Sequence, residues 1–229
     1  MKTNFLLLLF MVSVSITLFG QSNQYDTIRY AREHYQKRVN AFKNELVKKR
    51  RVILIGNSIT EFGDWRSLLH DSTIVNRGVA GDNTFGVLDR LDEVIFQAPS
   101  KLFVEVGIND ISQNIPVEVT AKNIFLIARH VKKGSPHTKI YVFSVLPTND
   151  NVKNNYPDAY NKNSIVLSLN RQLQRGAKEN QFTYVDLTKI FSDNMGKLNT
   201  KFAEEDGLHL NNAGYAAWVN LLKTNGYLN

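Results

Sequence analysis

The chain contains no cysteine among its 229 residues. Disulfides are therefore excluded, and so is a lipidated N-terminal cysteine. Without thiolates, metal binding would fall to the five histidines. These form no HxH or HxxxH pair, so three ligands are hard to assemble. Gly78-Val79-Ala80-Gly81 has no accompanying GK[ST] or GxGxxG, which argues against a phosphate loop. GxSxG is also missing, so the pattern is not that of an α/β-hydrolase with a nucleophile elbow of that type. Nor is there a basic stretch with interleaved aromatics, as nucleic-acid binding would want. The net charge of +7 is spread along the chain. Its one dense run, Lys48-Lys49-Arg50-Arg51, lies where a helix is expected to end, and cations suit the negative end of a helix dipole. Weak long-range attraction to acidic glycans stays open.

With 43% apolar and 21% charged residues, the composition is that of a globular protein, and the length suits one well-buried domain. The first twenty residues differ from the rest. Lys2 precedes an uncharged stretch from Phe5 to Phe19, and Gly20 offers a cleavage point. This pattern predicts a signal peptide over 1–20 and a single domain over 21–229. The apolar run is shorter than the ~20 residues a membrane span needs, so no stable membrane insertion is expected. A secreted or periplasmic protein follows.

Strand and helix patterns alternate along the remainder. Ile28, Ala31, Tyr35, Val39, Phe42 and Leu46 recur at helical spacing and predict a helix from Tyr25 to Lys48. Val52–Ile55, Thr73–Val75, Leu102–Val106, Ile140–Val145 and Phe182–Val185 read as buried strands. Between them lie helical stretches. One runs from Thr84, as N-cap, to Phe96; another carries Val117 to Val131. A third carries Ile165, Leu169, Leu173 and Ala177, and a last one is capped by Asn211. The alternation predicts one α/β domain, a three-layer α/β/α arrangement on a five-stranded parallel sheet. Asn149 to Asn163 is expected to be a rim loop.

In such a sheet, ligands gather beyond the carboxyl ends of the strands. Ser58, in Gly56-Asn57-Ser58-Ile59-Thr60, follows the first strand. Gly81 and Asn83 follow the second, and Asn109, in Gly107-Ile108-Asn109-Asp110, follows the third. Asp206-Gly207-Leu208-His209 precedes the last helix, at a spacing that lets the carboxylate reach the imidazole Nδ1. These are the parts of a serine hydrolase: Ser58 as nucleophile, His209 as base and Asp206 as its orienting acid. Ser58 N–H, Gly81 N–H and the Asn109 amide are candidate oxyanion donors. Each has a plainer reading as a helix cap, a turn or a solvated residue. The other histidines, His34, His70, His130 and His137, have no carboxylate and serine around them in the pattern. Trp65 is open to two readings, a wall of the substrate pocket and a buried core side chain. Asn83 is a second candidate for substrate binding.

With these four blocks in order, the chain resembles the SGNH, or GDSL-like, esterases and acylhydrolases from Val52 to the C-terminus. Their signature Ser, Gly, Asn and His fall on Ser58, Gly81, Asn109 and His209. Asn57 stands where the family usually has Asp, at a position without a catalytic role. Asn76-Arg77-Gly78, Gly81-Asp82 and Gly86-Val87-Leu88-Asp89-Arg90-Leu91 are similar to the branch of platelet-activating-factor acetylhydrolase subunits. That branch has bacterial members acting as carbohydrate O-acetylesterases, some on sialate esters. The resemblance implies a flavodoxin-like fold, no cofactor and a small-molecule or glycan ester substrate with a short acyl group. The competing readings are a lysophospholipase or lipase-type acylhydrolase, and a catalytically silent glycan-binding domain in which Ser58 only caps a helix. The polar segments Ile111–Asn114, Asn149–Asn163 and Asp193–Thr200 are expected to face a hydroxyl-rich substrate.

Overall fold

A computed structural model describes residues 32–45, 51–151 and 155–228. The predicted signal peptide and most of the basic run at 48–51 fall outside these. In chain order the elements are α1 (Arg32–Asn44), β1 (Val52–Gly56), α2 (Ser58–Glu61), α3 (Trp65–Leu69) and β2 (Val75–Gly78). They continue with α4 (Thr84–Asp89), α5 (Leu91–Gln97), β3 (Lys101–Glu105), α6 (Ile108–Ser112), α7 (Val117–Gly134) and β4 (Lys139–Phe143). The last are α8 (Asn163–Gly176), β5 (Thr183–Val185), α9 (Thr188–Phe191) and α10 (Asn212–Thr224). No helix among the described residues is long and apolar enough to cross a membrane.

The five strands form one parallel sheet in the order β2-β1-β3-β4-β5. This is the flavodoxin-like order, whose switch point lies between β1 and β3. Parallel strands covered on both faces must be apolar throughout, and β1 and β3 are buried almost end to end. Helix α7 packs with α4, α5 and α8, while α3 packs with α10. Trp218 of α10 meets Phe143 of β4 edge-on at 4.8 Å and Trp65 of α3 at 5.2 Å, closing the core on that side.

Three details depart from expectation. The second strand is Val75–Gly78, not Thr73–Val75, because polar Asn76 and Arg77 are satisfied there: Arg77 is buried against Glu93 at 2.8 Å. The stretch from Thr84 is two helices, broken at Arg90, which donates to Asp82 Oδ2, Arg77 O and Gly56 O. Its N-cap is Asn83, whose side chain accepts from Phe85 N and Gly86 N, so Thr84 is already inside the helix. Asn211 does cap α10, accepting from Gly214 N at 3.0 Å.

Candidate active site

Ser58 is delivered by a tight turn off β1. A Cβ on Gly56 would lie 1.9 Å from Glu105 O, so only glycine lets β1 end this close to β3. Asn57 then caps α2, its side chain accepting Ile59 N at 2.8 Å. Ser58 is thereby the first residue of a one-turn helix, with its own N–H lacking an intrahelical acceptor.

His209 arrives from a turn that Asp206 builds. One carboxylate oxygen accepts Leu208 N and His209 N, each at 2.9 Å, and the other lies 2.6 Å from His209 Nδ1. Gly207 supports the bend with φ +63°. A carboxylate only accepts hydrogen bonds, so Nδ1 carries the proton and Nε2 is the free acceptor. Nε2 lies 2.8 Å from Ser58 Oγ, 151 residues away in sequence. Burial works to raise the Asp206 carboxyl, but the bonds from the His209 ring and the two backbone N–H groups outweigh it. Its pKa is held below the usual carboxylate range.

Gly81 lies on the turn after β2 with φ +79°, a conformation that favours glycine. Asn109 comes from α6, and its Nδ2 donates to Asp82 O at 2.7 Å, which leaves its second amide N–H for a ligand. Behind these donors, Asp82 is paired with Arg90 at 2.8 Å. Asp110 accepts from Thr84 N and Oγ1, and burial raises its carboxyl to about 7. Ser58, Gly81, Asn109 and His209 line one cavity of about 220 Å³ with His34, Phe62, Ala80, Tyr156 and Leu208. A second cleft of about 330 Å³ shares Asn109, Tyr156 and Leu208 with it and adds Ser112, Gln113, Asn155 and Asp158.

Residues 54–217 match the GDSL-like Lipase/Acylhydrolase family. The chain belongs to that family. Its curated relatives include the alpha2 subunit of human (Homo sapiens) platelet-activating factor acetylhydrolase IB, 28% identical over 181 residues, covering 72% of this chain and 71% of that one. The alpha1 subunit from Mus musculus is 29% identical over 175 residues, covering 73% and 71%. Among solved structures, a Streptococcus pneumonia protein described as a platelet activating factor superposes with a TM-score of 0.77 at 29% identity, over 85% of this chain and 94% of that chain. A Bacteroides fragilis acylhydrolase shares the fold, with a TM-score of 0.72 at 24% identity over 85% and 97%. This GDSL-like chain is therefore an ester-hydrolysing enzyme by family.

Two candidates for substrate binding in the GDSL-like site are elsewhere. Trp65 is only 1% exposed, stacked edge-on against Tyr215 and Trp218, with Nε1 donating to Thr60 O. It is a core residue. Asn83 is fully buried: its Oδ1 caps α4 and its Nδ2 donates to Gln113 Oε1, so it faces no substrate. Of the polar segments, Ser112, Gln113 and 155–159 do line the cleft, whereas Met195 and Gly196 line a separate depression beside α8.

His34 also departs from expectation. It does have a carboxylate, Glu61, whose oxygens lie 3.0 and 2.9 Å from Nε2. Phe62 and Tyr156 were missed as well. They flank the His209 ring at 5.1 and 5.5 Å and are 55% and 37% exposed. The one signal for Phe62 was its place four residues after Ser58, one helical turn away.

Proposed function

We propose that this chain is a serine esterase that removes short acyl groups, acetyl above all, from carbohydrate esters, a sialate ester among them. Ser58 is the nucleophile, His209 the general base and Asp206 its orienting acid. The observation that carries this reading is the chain of hydrogen bonds from Asp206 through His209 to Ser58, at 2.6 and 2.8 Å, opening into one cavity with Gly81 and Asn109.

The chemistry follows from that chain. His209 Nε2 takes the Ser58 proton as Oγ attacks the ester carbonyl carbon, and the carbonyl electron pair moves onto oxygen. Ser58 N–H, Gly81 N–H and the Asn109 amide donate to that oxyanion. Collapse breaks the bond to the alcohol oxygen, which leaves with the proton held by His209. Water then attacks the acyl-serine, again losing a proton to His209, and the acid departs as Ser58 is restored.

Four features support the substrate class. The cavity around Ser58 is small, and the adjoining cleft presents Ser112, Gln113, Asn155 and Asp158, groups that pair with hydroxyls. Exposed Tyr156 offers an aromatic face at the junction of the two. The apolar stretch after Lys2 supports export, and glycan esters lie outside the cytoplasm. The test is hydrolysis of acetylated monosaccharides and p-nitrophenyl acetate beside p-nitrophenyl decanoate. Acetate release with kcat/KM highest for acetyl esters is expected. Preference for the decanoate, with no acetate released from the sugars, would favour a lipase instead.

A further inference from the structure

Helix α1 lies outside the segment that matches the family, yet it supplies a side chain to the cavity. Its docking is well defined. Tyr35 OH donates to Gly86 O at 2.9 Å, and Arg38 Nη2 donates to Gly78 O at 3.0 Å. Phe42 is buried under the Arg77 guanidinium at 4.5 Å. These bonds hold the N-terminal turn of α1, with His34, against the last residue of α2.

There His34 Nε2 faces both oxygens of Glu61. A carboxylate only accepts, so Nε2 carries a hydrogen, and in the neutral form of the ring Nδ1 is an acceptor. His209 has the opposite tautomer, so the cavity holds two imidazoles with complementary roles. Nδ1 of His34 has no partner among the described residues, and the side chain remains 41% exposed while lining the cavity with Ser58, Gly81, Asn109 and His209. An oriented acceptor calls for a donor. An acetyl group has none, whereas the alcohol half of a sugar ester carries hydroxyls.

We propose that His34 is a substrate-binding residue that accepts a hydrogen bond from a hydroxyl on the alcohol half of the ester. The inference rests on the carbohydrate-ester reading above. A plainer role for His34 is to brace Glu61, which also accepts Ala80 N beside Gly81. The two differ in which substrates they affect, since p-nitrophenol has no hydroxyl left once esterified.

The experiment compares parent, His34→Ala and His34→Gln on a mono-acetylated monosaccharide and on p-nitrophenyl acetate. His34→Ala should raise KM for the sugar ester about tenfold at unchanged kcat, the loss of one neutral hydrogen bond. Its kcat/KM for p-nitrophenyl acetate should fall by clearly less than for the sugar ester, since Glu61 keeps its bonds to Ala80 N and Arg38. His34→Gln keeps a donor for Glu61 and an acceptor for the hydroxyl, and should recover most of the loss. Equal loss on both substrates would show a brace, and no loss on either would show a bystander; both overturn the inference while leaving the esterase reading intact. A parent that cleaves p-nitrophenyl acetate but no acetylated sugar would sink the carbohydrate reading and this inference together.

Discussion

The Glu61 carboxylate accepts the Ala80 backbone N–H at 2.5 Å, one residue before Gly81. Glu61 ends the single turn of helix that Ser58 begins, so Ser58 and the turn that carries Gly81 are tied through one side chain. The contact is close because β2 passes directly under α2: a Cβ on Gly78 would lie 2.2 Å from Glu61 N. Asn76 Nδ2 reinforces the same seam by donating to Thr60 O, Glu61 O and Gly63 O.

Glu61→Ala should therefore lower kcat, by about 10- to 100-fold, since misplacing a donor by about 1 Å is that costly. KM should move less, because an oxyanion donor bonds the transition state more strongly than the ester carbonyl. Steady-state kinetics on p-nitrophenyl acetate, with circular dichroism to check the fold, measure this. A kcat equal to the parent's would mean that the seam does not position Gly81.

Asp206→Asn should cost about 10³-fold or more in kcat, because an amide donating to Nδ1 would leave the proton on Nε2, facing Ser58. The same carboxylate sets an acid limit on stability. Its pKa is lower folded than unfolded, so its contribution is present above the ordinary value of ~3.9 and is lost as pH falls through the lower folded value. Melting temperatures of parent and Asp206→Asn should differ at pH 6 and converge in strong acid. A constant gap at all pH values would contradict the assignment.

Glu105 titrates in the other direction. Among the described residues both its oxygens are buried without a hydrogen-bond partner, and burial raises the carboxyl to about 8. As pH rises from the unfolded value of ~4.3 toward 8, the unfolded chain loses this proton while the folded one keeps it, so stability falls. Glu105→Gln removes that drain. Its melting temperature should gain on the parent between pH 5 and pH 8.5; parallel curves would show that Glu105 is ionised in the fold.

Trp65→Phe should leave KM unchanged and destabilise the protein by about 1–3 kcal/mol, from lost ring contacts and the lost bond to Thr60 O. Urea unfolding measures the loss. A raised KM with unchanged stability would return Trp65 to the substrate pocket.

What was legible in the sequence follows from how local each feature is. Ser58, Gly81 and Asn109 each sit in a short block just past an apolar strand, and a parallel sheet brings such blocks to one edge. Asp206 and His209 are close in sequence, so their bond was visible as spacing. The His34–Glu61 pair joins residues 27 apart from separate helices, and nothing in either neighbourhood announces the other. Trp65 was ambiguous because exposure of an aromatic depends on what packs over it, here Trp218 from the far end of the chain. Asn83 was misread because a helix cap and a ligand donor want the same residue type at the same strand end. The edge of β2 was misplaced because Arg77 gains its partners only in the folded state.

If His209 activates Ser58 as a nucleophile, covalent labelling will show it. A fluorophosphonate probe should add once per chain, with peptide mapping placing the adduct on Ser58. Ser58→Ala should take up none and lose ester hydrolysis, and His209→Ala should label far more slowly. No adduct on the folded parent, an adduct on another serine, or Ser58→Ala activity within about tenfold of the parent would contradict a nucleophilic Ser58.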